Sequence, residues 1–249
     1  MPTSIYPLQW DQSGDKKYEN GISHGVLYKK QNASSNKWVG YAWNGLTSVT
    51  ESPEGADKTD LWADNIKYAS MRAAETFGGT IEAYTYPPEF ESCNGEASLA
   101  EGIVIGQQVR EAFGLSYRTE QGNDTNGANY GYKLHLVYNC TCSPSERAYE
   151  TINDSPDAIT FSWEFDSTPV DVSGHKATSC LVIDSTKVSS ANMTKLEEAL
   201  YGTASEDAYL PSPAQILEIL SGDDDGDDGD DGDDGDNGDN GGETNVTTG

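Results

Sequence analysis

Ten residues, AITFSWEFDS at positions 158–167, tie the chain to a β architecture more tightly than any other stretch. Ile159, Phe161, Trp163 and Phe165 project to one side of an extended backbone, and Thr160, Ser162, Glu164 and Asp166 to the other. Period-two alternation of this kind marks a strand with one buried face. Each such apolar side chain contributes roughly 1.5–3 kcal/mol when removed from water. The polar face is left to meet solvent, a ligand, or something that must not adhere.

The same alternation recurs along the chain. GVLYKKQ (25–31) and KWVGYAWNGLTSVT (37–50), joined by the polar NASSN, read as a long hairpin. TIEAYTY (80–86), ending at Pro87-Pro88, and GIVIGQQV (102–109) read as strands. In FGLSYRTE (113–120), Phe113, Leu115 and Tyr117 share a face; in YGYKLHLVY (130–138), Tyr130, Tyr132, Leu134, Leu136 and Tyr138 do. TSCLVIDS (178–185), apolar on both faces, reads as a central strand. Helix is scarcer. Ser189 or Ser190 can cap ANMTKLEEALYG, with Leu196 and Leu200 four apart and Gly202 as its stop. SERAYE (145–150) reads as a turn or two of helix, and KYASMRAAET (67–76) as a short helix before Gly78-Gly79. The class is therefore mainly β, with one or two flanking α-helices, in a single domain over 1–220. ESPEGADKTDLWADNIK (51–67) reads as a long polar connection whose Trp62 suits an interface anchor.

Formal net charge is −27. Of the 42 acids, twelve lie in residues 222–249, where there is no Lys or Arg, leaving 30 against 15 bases in the rest of the chain. The folded part is acidic in its own right. Gripping nucleic acid calls for clustered Lys and Arg that displace counterions, so a nucleic-acid-binding module is disfavoured. Residues 221–249 have Gly at 226, 229, 232, 235, 238 and 241 but no Pro in that run, which argues against a collagen helix; the charge argues for a disordered, solvating acidic tail. The spacing also fails the calcium-loop pattern. No apolar run approaches the ~20 residues that span a bilayer, so a soluble protein is expected with no membrane partner. MPTSIYPLQW shows no basic region followed by an apolar core, so no secretory leader is expected.

Chemical motifs are thin. GISHG (21–25) matches the G-x-S-x-G of a hydrolase nucleophile elbow, and His135 and His175 follow in the chain. The elbow needs a buried strand before it and a helix after it, whereas DKKYEN precedes Ser23 and the strand-like GVLYKKQ follows. His135, sharing a strand face with Gly131 and Lys133, reads as a solvated histidine. Cys93, Cys140, Cys142 and Cys180 contain no C-x-x-C pair and read as reduced, partly buried thiols, with a Cys-rich metal site as the alternative. No catalytic, cofactor-binding or metal residues are assigned, and no cofactor is expected.

AWNGLTSVTESPEGADKTDLWADNIKYASMRAAETFGGTIEAYTYPPEF (42–90) and GLSYRTEQGNDTNGANYGYKLHLVYNCTCSPSERAYETINDSPDAITFSWEF (114–165) resemble the major tail protein, or tail tube protein, of long non-contractile-tailed bacteriophages, the siphophages. The likeness runs over roughly residues 1–220. It implies a tail-tube fold, a β-sandwich or barrel with flanking helix, that self-associates into hexameric rings stacked as a hollow conduit for genome delivery. It implies a virion location, assembly in the host bacterial cytoplasm, and as partners the tape measure protein, the tail tip and the tail terminator proteins, with viral DNA passing through unbound. It suggests residues 51–67 and 1–12 for ring-to-ring contacts. Such proteins often carry an immunoglobulin-like domain after the tube domain, where this chain has its Asp/Gly segment. An acidic bore would repel phosphates, and the face bearing Glu164 and Asp166 either lines such a bore or looks outward to solvent. The rival readings are a carbohydrate-binding β-sandwich using surface aromatics and an esterase built on Ser23.

Overall fold

The computed structural model describes residues 8–31, 37–152, 154 and 157–221. The expected disorder of the acidic tail falls on 222–249, outside the described residues. In chain order the strands are β1 (Lys17–Lys30), β2 (Trp38–Trp43), β3 (Leu46–Gly55), β4 (Lys58–Ala63), β5 (Ile66–Arg72), β6 (Glu75–Ala83), β7 (Ala97–Ala100), β8 (Ile103–Ile105), β9 (Phe113–Asn123), β10 (Gly127–Cys142), β11 (Phe161–Ser167) and β12 (Cys180–Asp184). Helices α1 (Ser190–Tyr201) and α2 (Pro213–Ser221) close the chain. None of the described helices is long and apolar enough to cross a membrane.

Eight strands form one antiparallel sheet in the order β2-β1-β9-β10-β11-β6-β3, with β12 also paired to β10. The strand β10 holds this sheet together because it changes partner along its length. Residues 133–137 pair with β12, and 140–142 pair with β11. Between them sits a bulge against β9, with Asn139 at φ +47°. Strict alternation from Leu134, Leu136 and Tyr138 would put Cys140 and Cys142 on the same face; the extra residue sends both to the other side. There the sheet turns over and becomes a second layer.

Each face of β1-β9-β10 therefore has its own core. On one side Leu27, Phe113, Leu115 and Val137 meet Ile81, Trp163 and Phe165 from the second layer. Trp163 is 1% exposed and packs edge-on to Trp43, Tyr86 and Phe90, with ring centroids 5.1–5.7 Å away. Such aromatic pairs add about 0.5–1.5 kcal/mol beyond area burial. On the other side Val26, Tyr28, Leu134 and Leu136 receive Leu196 and Leu200 of α1 and Ile216 of α2. The buried phenols are satisfied: Tyr28 donates to the Leu200 carbonyl at 2.9 Å and Tyr138 to the Pro211 carbonyl at 3.0 Å.

Several expectations hold residue by residue. Ser189 caps α1, accepting the Asn192 amide at 3.3 Å, and Gly202 ends it at φ +79°. Phe113, Leu115 and Tyr117 share the inner face of β9, as expected. Others are corrected. The 37–50 segment breaks at Asn44-Gly45: β2 pairs with β1, but β3 crosses to the second layer and pairs with β6. Residues 67–72 and 75–76 are strand, in β5 and β6, rather than helix, because Asp64 and Asn65, at φ +51° and +62°, make a tight turn that folds β5 back on β4. Residues 51–67 are accordingly the end of β3 and a two-stranded arm, not a loop. Residues 145–150 are irregular rather than helical, and Ile159 lies before β11, 42% exposed. Residues 102–109 reduce to the three-residue β8. β12 is an edge strand, with Val182 half exposed, because β11 and not β12 continues the sheet past β10. Helix α2 escaped the sequence reading because its apolar run directly precedes the acidic repeat.

Gly78 and Gly79 lie inside β6 and not at a helix end. A Cβ on Gly79 would collide with the Thr50 carbonyl oxygen and press on the Phe165 ring, and one on Gly78 would lie 2.7 Å from the Phe165 carbonyl oxygen. Gly79→Ala is expected to cost about 1–3 kcal/mol, lowering Tm by a few degrees in a thermal melt, whereas Gly106→Ala, which faces open space, should fall within about 0.5 kcal/mol of the parent.

Candidate assembly surfaces

The outward face of the second layer is built from one kind of chemistry. Antiparallel register aligns Ser48, Glu82 and Ser162 in one row, Thr50, Thr80 and Glu164 in the next, and Ser52, Gly78 and Asp166 in a third; Glu54 stands opposite Thr76. Every one of these residues is hydroxylic, acidic or glycine, and β3, β6 and β11 contain no Lys or Arg. Glu164 and Asp166 are exposed. Both line a shallow depression of about 200 Å³, together with Ser52, Glu54, Thr76 and Thr80. The Ser48 hydroxyl donates to Glu82 at 2.8 Å, which aims that carboxylate along the surface. Such a face offers an approaching polyanion only repulsion and an apolar partner nothing to bury.

The edges and arms have a different character. The outer edge of β2 is covered by residues 208–209: the Gly40 amide donates to the Ala208 carbonyl at 2.8 Å, and Val39 bridges Tyr209. The outer edge of β3 pairs with no strand among the described residues. β4 and β5 pair only with each other, as do β7 and β8. The β4–β5 arm is braced by Asp60, which holds Lys67 at 2.9 Å, Lys58 at 3.2 Å and the Ser70 hydroxyl at 2.6 Å. Along the arm Trp62 (68% exposed), Tyr68 (75%), Ile66 and Met71 stand in water. The shorter β7–β8 hairpin exposes Leu99, Ile103 and Val104. Two-stranded hairpins are marginal in isolation, and apolar side chains on them point to contact with another surface. The N-terminal segment expected to share that role is described only from residue 8, with Leu8 and Trp10 exposed.

The third cluster closes the end of the sandwich. His135 is not solvated: its side chain is 13% exposed and lies flat on Tyr117, with centroids 4.6 Å apart and an 8° interplanar angle. Its Nε2 is 3.5 Å from Glu19 of β1 and its Nδ1 3.5 Å from Glu51 of β3. Burial opposes ionisation of Glu19, but hydrogen bonds from Lys133 and Thr119 outweigh it and hold the carboxyl below its ordinary value. The His135 imidazole, and then the Tyr117 hydroxyl, hold Glu51 below its own. Sequence reading missed this cluster because its members come from four strands, as far apart as Glu19 and His135 in the chain.

Ser23 lies within β1, its hydroxyl 3.0 Å from Nδ1 of the adjacent His24; strand flanks it on both sides, in place of the strand–turn–helix of an elbow. His175 sits in a separate exposed turn, and His135 has the partners just given, so the three candidate residues are not brought together. Cys93, Cys140 and Cys142 are buried in the aromatic core as free thiols and Cys180 is half-buried. Burial pushes the Cys93 thiol up to about 11 and that of Cys142 up to about 12, which keeps them protonated and unreactive. Among the described residues no group of three or more His, Cys, Asp or Glu is arranged to hold a metal ion. No protein-family model matches the chain, and a search of curated proteins found no match.

Depressed carboxyls stabilise the fold above their unfolded value of 4.5 and lose that contribution as pH falls through the folded value. The urea midpoint should therefore drop between neutral pH and about pH 3, and Glu51→Gln should remove part of that drop by weakening the neutral-pH protein. A thiol-reactive chromophore should label Cys180 first, with Cys93, Cys140 and Cys142 reacting only on unfolding.

Proposed function

We propose that this chain is the tube-forming subunit of a siphophage tail, associating with copies of itself into hexameric rings that stack into a hollow conduit for DNA. The observation that carries the reading is the base-free hydroxyl and carboxylate face of β3, β6 and β11, beside the unpaired edge of β3. Pairing that edge with a neighbouring subunit would continue the sheet around a ring and remove a strand edge otherwise open to uncontrolled association. The polar face would then line the bore, where Glu54, Glu82, Glu164 and Asp166 repel phosphates and offer no cation whose counterions DNA could release. The β4–β5 arm, with Trp62 and Tyr68 in water, suits a head-to-tail contact between rings, and such contacts build filaments because they do not close. The resemblance over residues 1–220 points the same way.

Negative-stain imaging of the concentrated full chain should show tubes of stacked rings; monomers at every concentration would overturn the reading. Glu82→Lys, Glu164→Lys and Asp166→Lys combined should yield tubes that retain DNA at low salt and release it as salt rises, while parent tubes retain none. Variant tubes that ignore DNA would place this face away from the bore.

A further inference from the structure

Where the segment joining α1 to α2 folds against β2, it leaves a recess of about 620 Å³. That volume falls within the roughly 300–1,000 Å³ of small-molecule sites. Hydrogen bonds fix its rim. Thr203 Oγ1 accepts the Ser205 amide at 3.3 Å and the Glu206 amide at 3.1 Å. The Tyr209 amide donates to the Ala199 carbonyl at 2.8 Å, and the Gly40 amide of β2 donates to the Ala208 carbonyl at the same distance. The approach is close enough that a Cβ on Gly40 would lie 2.8 Å from that of Ala208. A rim held this way is ordered before any ligand arrives, so binding costs little further ordering.

The lining sorts by hydrogen-bond role. Gln215 Oε1 accepts the Ser212 amide at 2.9 Å and the Ser212 hydroxyl at 3.0 Å. An amide can donate only to the oxygen, so the carboxamide is fixed in one orientation and Nε2 keeps two hydrogens that no described residue accepts. Glu206 and Asp207 bring carboxylates, which only accept; Lys37, 3.9 Å from Asp207, brings an ammonium, which only donates. Half-buried Trp38 and Tyr209 supply the apolar part. A polyanion entering here would meet two carboxylates, and an organic cation would meet the Lys37 ammonium and the Gln215 amide hydrogens. An apolar molecule would strip water from these groups without replacing its bonds. A hydroxyl suits both kinds, donating to a carboxylate while accepting from an amide or ammonium. Sugar rings carry hydroxyls around the edge and C–H groups on the faces, which can lie against an aromatic ring.

The geometry points to this recess as a binding site for an uncharged oligosaccharide. Glu206 and Asp207 accept from its hydroxyls, Gln215 and Lys37 donate to them, and Trp38 and Tyr209 carry the apolar ring faces. None of these residues belongs to β3, β6 or β11, so the site does not rest on the tube reading.

Titration of the ¹⁵N-labelled full chain with chitotetraose, maltotetraose, tetragalacturonate and choline, followed by NMR, tests the inference. At least one of the two neutral sugars should shift the Gln215 side-chain amide and the Trp38 indole signals saturably, and tetragalacturonate and choline should bind more weakly. Glu206→Ala, which removes an exposed carboxylate, should weaken the sugar about tenfold and leave the thermal midpoint unchanged. Tyr209→Ala should weaken it about threefold to tenfold. The inference is overturned if neither neutral sugar moves these signals up to millimolar concentration, or if Glu206→Ala binds as tightly as the parent. Tighter binding of choline or tetragalacturonate than of either neutral sugar would also overturn it, assigning the recess to a charged ligand.

Discussion

The fold depends on one strand serving three partners. β10 pairs with β9 along most of its length, with β12 through residues 133–137 and with β11 through 140–142. Without the irregularity at Asn139, Cys140 and Cys142 would point at the helices, and β11 would have no register in which to start the second layer. The aromatic core around Trp163 exists because that turnover brings β11 and β6 opposite β1 and β9. The local cost is a non-glycine residue at positive φ, offset by the Thr168 amide, which donates to the Asn139 carbonyl at 3.1 Å.

Strand identity was largely legible in the sequence, and strand partnership was not. The alternations in 113–120, 130–138 and 161–166 declare which side chains are buried because period two is a local property. Which strand lies beside which depends on turns and on closure of the sheet. Asn44-Gly45 looks like a hairpin turn yet joins strands at opposite ends of the sheet order. Asp64-Asn65 does make a tight hairpin, although Met71, Ala73 and Ala74 just beyond it weigh toward helix propensity. Tertiary pairing overrode that propensity. The polar face was visible in part: Glu164 and Asp166 follow from alternation within β11, whereas Ser52, Thr80 and Glu82 join them only through register.

Charge is distributed with the same division of labour. The layer holding β3, β6 and β11 has carboxylates and no bases on its strands, while the bases of the other layer are committed to local partners. Arg118 bonds Glu120 and stacks 3.9 Å over Tyr132; Lys29 holds Glu111 at 2.8 Å; Lys133 is bonded to Glu19. The carboxylates of that surface have no base on their own strands to offset them. Ion pairs this exposed contribute little to stability, so their arrangement matters more for what the surface repels than for what it holds together.

The end of α2 has a geometric consequence. Asn192, at the start of α1, donates to the Leu220 carbonyl at 3.0 Å and fixes the helix terminus against the layer of helices. Residue 221 thus lies on the flank opposite the carboxylate wall, with two cores between them. Any cargo fused beyond residue 221 inherits that departure point and begins its path without crossing the sheet surface where Glu164 and Asp166 stand.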